Sequence, residues 1–156
     1  MPYEFTQERR VEFHETDMAG IVHFSNFFRY MESAEHAFFR SLGQILHGNQ
    51  DGRMQGWARV HAECDYRAPL RYPDLFEVRL LVRKKSQTTL SYDFVFTKVD
   101  PEVPLEVARG MLTVVCVARE PGQERMRPVP MPARITEQVE VAPEELLRTD
   151  ESRPNH

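Results

Sequence analysis

Phe13-His-Glu-Thr-Asp-Met-Ala-Gly-Ile-Val-His-Phe-Ser-Asn-Phe-Phe-Arg-Tyr-Met-Glu32 reads as a strand end, a tight loop carrying Asp17, and the start of an amphipathic helix. Gly20 permits a backbone conformation closed to other residues. The first N–H groups of a helix are unpaired and its dipole is positive there, so an acidic side chain at that point is an arrangement chemistry can use.

Downstream, Phe27, Met31, Ala34, Phe38 and Leu42 fall at spacings of four, three, four and four, one stripe of a helix over Ser25–Leu42. Arg29, Glu32, Glu35, His36 and Arg40 occupy other faces. Ser25 or Asn26 can cap the start, and Gly43 stands where a C′ glycine belongs. Large aromatics on the stripe call for burial against something broad, most simply a sheet. Upstream, residues 5–14 alternate as a half-buried strand with Val11 and Phe13 on one face.

Residues 44–56 hold three of the seven glycines and read as a mobile connection, with a short helical turn near Ile45. Four strands follow in succession: Trp57–Tyr66, Leu75–Arg83, Thr88–Val99 and Val107–Arg119, the first two separated by the turn Ala68–Asp74. Short connections argue an antiparallel sheet. Pro121–Pro132 carries four prolines in twelve residues and reads as a strapped-down extended arm. The fold class is therefore α+β, a five-stranded antiparallel sheet wrapped around one long central helix. Residues 1–140 form one domain. Residues 141–156 form a tail, with one helical turn from Pro143 and disorder from Thr149. The free sheet edge invites pairing with a second subunit.

The hydrophobic fraction is 41%, the charged fraction 28% and the net charge −4, which argues against a nucleic-acid partner held by bulk electrostatics. Cys64 and Cys116 have no CxxC spacing and no histidine in ligand register, so neither a disulfide framework nor a zinc site is expected. No run of ~18 apolar residues and no leader-like segment occurs, so no membrane partner and a cytoplasmic location are expected.

No Gly-x-Ser-x-Gly elbow is present, and both cysteines sit mid-strand, poorly placed for attack. His14, Asp17 and His23 lack the spacing of a metal motif, and phosphate loops and dinucleotide fingerprints are missing, so no metal and no cofactor are expected. Asp17 remains. It is either a turn former or cap, or a nucleophile or general base beside a carbonyl held by an unpaired N–H near Phe24.

Glu15-Thr-Asp-Met-Ala-Gly-Ile-Val-His-Phe-Ser-Asn-Phe-Phe-Arg-Tyr-Met-Glu resembles the signature of the 4-hydroxybenzoyl-CoA thioesterase family of the hotdog-fold superfamily. Asp65-Tyr-Arg-Ala-Pro-Leu-Arg-Tyr-Pro-Asp-Leu, Ala108-Arg-Gly and Glu124-Arg-Met-Arg-Pro-Val-Pro agree with it, so the resemblance covers about residues 5–137. It implies hydrolysis of an acyl-CoA thioester with Asp17 as the loop aspartate and the Phe24 amide as oxyanion donor. It also implies homodimers or homotetramers with the active site at the subunit interface. Basic residues would hold the nucleotide, which points to Arg83, Lys84 and Lys85 and to Arg125 and Arg127. His23 and Phe27 are candidate acyl-pocket residues, although many bacterial members carry Tyr-His where this chain has His23-Phe24. Rival readings are an acyl-carrier-protein thioesterase, a non-catalytic acyl-CoA-binding or regulatory module, and a hotdog dehydratase built on His23.

Overall fold

The computed structural model describes residues 2–44, 48–50 and 53–149. Strand β1 (Glu4–Arg10) leads through a 3-10 turn at Phe13–Glu15 to helix α1 (Asn26–Ser41). Strands β2 (Gly48–Gln50), β3 (Arg53–Tyr66), β4 (Leu75–Lys85), β5 (Thr89–Lys98) and β6 (Leu105–Arg119) follow. A two-residue β7 (Arg127–Pro128), helix α2 (Ala133–Gln138) and a 3-10 turn at Glu144–Leu146 complete the described chain.

All pairings are antiparallel, in the order β1-β4-β5-β6-β3-β2, with β7 also on β6. The five expected strands are present, and two short ones are added. The connection expected over 44–56 already contains β2 and the start of β3, because Gly48–Gln50 folds back on Arg53–Gln55. The turn expected near Ile45 and the tail beyond Thr149 fall outside the described residues. β7 takes the place beside β6 that β5 leaves at Thr89, so the proline-rich arm is held by two rungs only. α2 was not expected; Pro132 immediately precedes it, where a fixed φ suits a helix start.

One face of the sheet wraps α1. Phe76, Val78, Leu80, Leu90, Tyr92, Phe94, Phe96, Leu112 and Val114 pack with Phe27, Tyr30, Met31, Ala34 and Phe38 in a single core. Gly110 lies where α1 comes closest to β6, and a side-chain carbon there would overlap the Met31 sulfur. Gly43 closes the helix with φ +74°, the left-handed conformation the sequence assigned to it. Two side chains depart from the alternation expected of them. Phe13 is 74% exposed, since β1 ends at Arg10 and the 3-10 turn rotates it away from Val11. Glu35 was placed off the apolar stripe but is fully buried, its carboxylate 2.6 Å from Arg59 Nη2.

The C-terminal segment passes from the α1 side of the sheet, where Val139 joins the core, to the other face at Arg148. Val139 and Ala142 are buried, and the Ala142 N–H donates to the Val82 carbonyl. Arg148 is buried too, bonding Asp65 Oδ2 through its guanidinium at 2.7 Å and Asp93 Oδ2 through its backbone N–H at 3.0 Å.

Candidate active site

The loop between β1 and α1 is cinched at its base by one residue. Glu15 is buried; its Oε1 accepts the Glu12 N–H at 2.7 Å, and its carbonyl accepts both the His23 N–H (2.9 Å) and the Asn26 side-chain amide (2.8 Å). Inside that clasp Thr16 and Val22 form a single antiparallel bridge. The Asp17 N–H donates to the Ile21 carbonyl at 2.8 Å, and Gly20 takes φ +79° to let its own N–H reach the Asp17 carbonyl.

Asp17 Oδ1 accepts the Ala19 N–H at 2.8 Å and the Ile21 N–H at 3.4 Å. That is the turn-forming behaviour read from sequence. Its second oxygen accepts from no group among the described residues, and the residue lines a groove of about 450 Å3. Val22, Phe24, Phe27, Tyr66, Arg67 and Leu70 line the same groove. Asp17, Phe24 and Phe27, paired only by spacing in the sequence, therefore share one concave surface.

The N–H groups from Val22 to Phe28 can be followed one by one. Val22 donates to the Leu70 carbonyl, His23 to that of Glu15, and Ser25 to the His23 ring nitrogen Nδ1. Asn26, Phe27 and Phe28 donate to the carbonyls of His23, Phe24 and Ser25. The Phe24 N–H alone in this run has no partner among the described residues. It stands two residues before a 16-residue helix, where the dipole favours negative charge.

His23 is exposed, does not line the groove, and has Ser25 Oγ at 2.7 Å from Nδ1 and the Phe24 ring stacked on it at 4.7 Å. A histidine base needs an orienting acid, and these described partners supply none. Of the basic clusters, none lines the groove. Arg83 Nη1 donates to Asp93 Oδ2 at 2.8 Å and to the Arg148 carbonyl at 2.6 Å. Lys85 Nζ donates to the carbonyls of Thr136 and Val139 at 2.9 and 2.6 Å. Both side chains, expected from the resemblance to meet a ligand's phosphates, here donate to the C-terminal segment. Lys84, Arg125 and Arg127 are exposed.

Tyr66 and Arg67 were not singled out in the sequence. Both close the groove from the end of β3, and Arg67 is paired with Glu106. Their sequence signal was the stretch Asp65–Leu75 that agrees with the family, in which neither residue was given a role. Among the described residues no three His, Cys, Asp or Glu side chains converge to hold a metal ion. No helix among them is long and apolar enough to cross a membrane.

The model of the thioesterase-like superfamily matches residues 11–139. A protein of Aquifex aeolicus (strain VF5), named as a supposed esterase, is 41% identical over 96 residues, 62% of this chain and 74% of that one. The 1,4-dihydroxy-2-naphthoyl-CoA hydrolase of Synechocystis sp. (strain ATCC 27184 / PCC 6803 / Kazusa) is 27% identical over 128 residues, 82% of this chain and 90% of the relative. The solved structure of 4-hydroxybenzoyl CoA thioesterase from Pseudomonas sp. strain CBS-3 superposes with a TM-score of 0.74 over 87% of this chain and 99% of that one. At 21% identity it speaks for the fold alone. The chain belongs to the thioesterase-like superfamily, and its sheet around one long helix is the hotdog fold.

Proposed function

We propose that the groove hydrolyses the thioester of an acyl-CoA, with an aromatic or short- to medium-chain acyl group, to the free acid and CoA. The observation that carries this is the unpartnered amide of Phe24, a residue that lines the same groove as Asp17. A thioester carbonyl accepting from that N–H gains negative charge as its carbon becomes tetrahedral, and a preorganised donor at a helix start stabilises it.

Asp17 supplies the other half. As general base it takes a proton from water, and the water oxygen bonds to the carbonyl carbon. As nucleophile it bonds to that carbon itself, giving a mixed anhydride that water then cleaves. In both routes the C–S bond breaks and the thiolate of CoA leaves, to be protonated from solvent. Thiolate is a good leaving group, so no strong general acid is required.

A homodimer or homotetramer in the cytoplasm, with the groove at a subunit interface, belongs to the same reading. On the side of β3 away from β6, β2 pairs only residues 53–55, leaving the edge at 57–66 unpaired among the described residues. Arg127 pairs with Ala118, ten residues along β6 from Ala108, which is opposite Tyr66. The basic arm is therefore roughly 33 Å from the groove of its own chain. If two copies pair antiparallel along this edge, β7 of the second copy comes within three strand spacings, about 14 Å, of Tyr66. Arg125 and Arg127 of the second copy are then the cations for the CoA phosphates, with exposed Lys84 the remaining member of the other cluster.

The test is thiol release from short-chain, long-chain and aromatic acyl-CoAs by the wild type and Asp17→Asn. The wild type is expected to turn over at least one class and Asp17→Asn to lose roughly 10²–10⁴-fold in kcat. No release from any substrate sinks the reading; full activity in Asp17→Asn removes Asp17 from it.

A further inference from the structure

The Tyr66 hydroxyl donates to the Phe24 carbonyl at 2.9 Å. The two residues are 42 positions apart, one ending β3 and the other preceding α1, so the bond is not a by-product of local geometry. The same carbonyl accepts the Phe27 N–H at 3.3 Å, and the Tyr66 ring meets Phe27 edge-on with centroids 5.1 Å apart. Tyr66 is 46% exposed. A phenol that wet exchanges one partner, water, for another and gains little stability from the bond. Its consequence is orientation.

Two successive peptide planes meet at Phe24. The first carries the His23 carbonyl and the Phe24 N–H, and the Asn26 N–H holds its carbonyl at 2.9 Å. The second carries the Phe24 carbonyl, held by Tyr66 and Phe27. Fixing the carbonyls on both sides of the Phe24 Cα fixes its two soft dihedrals, and with them the direction of its N–H. We propose that Tyr66 is a positioning residue that aims the Phe24 amide at the substrate carbonyl oxygen. The proposal rests on the reading of that amide as the oxyanion donor.

Phenylalanine at 66 keeps the ring and its contact with Phe27 but lacks the hydroxyl. The experiment measures kcat and KM for wild type, Tyr66→Phe, Tyr66→Leu and Asp17→Asn on the acyl-CoA that wild type turns over fastest. An S-alkyl-CoA thioether, which has no carbonyl, serves as inhibitor. Tyr66→Phe is expected to lower kcat about tenfold with KM unchanged within about twofold, the pattern of an interaction made only in the transition state. Its thioether inhibition constant and melting temperature stay at the wild-type values. Tyr66→Leu, which removes the wall as well, raises KM and weakens thioether binding.

Wild-type kcat in Tyr66→Phe overturns the proposal, and so does a rise in KM alone, which makes Tyr66 merely a wall. Loss in Tyr66→Phe alongside full activity in Asp17→Asn keeps the positioning role and overturns the aspartate assignment. A wild type inert toward every acyl-CoA overturns both.

Discussion

Glu35 sits midway along α1, fully buried, facing Arg59 and the Tyr92 hydroxyl. Burial raises its pKa above 4.5 against the opposing pull of Arg59. A carboxyl whose folded pKa exceeds its unfolded one binds its proton more tightly in the native state. Its contribution is thus complete below about pH 4.5 and declines as pH rises toward the folded value. Glu35→Gln is expected to lose less stability than wild type over that rise, measured as denaturant midpoints across a pH series; a difference constant with pH rules this out. Cys64 follows the same sign. Burial pushes its thiol up to about 12, so it is not a thiolate near neutrality. Native protein at pH 8 is expected to resist iodoacetamide at Cys64 and to keep its activity during exposure to the reagent. Rapid labelling with parallel inactivation contradicts it.

At the scale of elements, α1 against β6 carries the tightest constraint. Gly110→Ala forces the fully buried Met31 to move, with the Glu63 carbonyl 3.3 Å away on the other side. Such overpacking costs about 1–3 kcal/mol. Gly110→Ala with Met31→Ala is expected to cost less than the two single changes added together, a coupling that denaturant titration of the four proteins reads directly. α1 itself was legible because its partner is a continuous surface: five apolar residues at helical spacing describe their own burial. Gly43 and Gly20 were legible for a similar reason, each doing a local job. Glu35 was not, since its companion Arg59 lies on another element and polarity alone sends a glutamate outward. The hold that Arg83 and Lys85 have on the C-terminal segment was hidden for the same cause. A pair of cations at a strand end looks identical whether water or a backbone carbonyl receives it, and their acceptors lie far along the chain in Arg148, Thr136 and Val139. Asp17 stood between these cases. Its turn was readable from spacing and an unpaired N–H near Phe24 was expected, while the groove that both residues line required the fold.

For the whole molecule, the edge of β3 at 57–66, unpaired among the described residues, is where the proposed assembly would form. Val60 sits at the register shift between Arg59 and His61 and is 59% exposed there. A lysine on such an edge opposes strand pairing. If the proposed dimer joins along this edge, Val60→Lys shifts it from dimer to monomer in light scattering and loses thiol-releasing activity with it. A variant that stays assembled, or a fully active monomer, contradicts the shared groove. The far face of the sheet has the opposite character, because Arg148 arrives there to bridge Asp65 on β3 and Asp93 on β5. That bridge has a consequence for biosynthesis. The arginine joining two central strands is translated after every helix and strand among the described residues, so those segments emerge before the cation that ties their outer surface. Locking of the outer surface therefore comes after the sheet and helix are made, and a chain stalled before Arg148 is expected to be cut by protease where one carrying Arg148 resists.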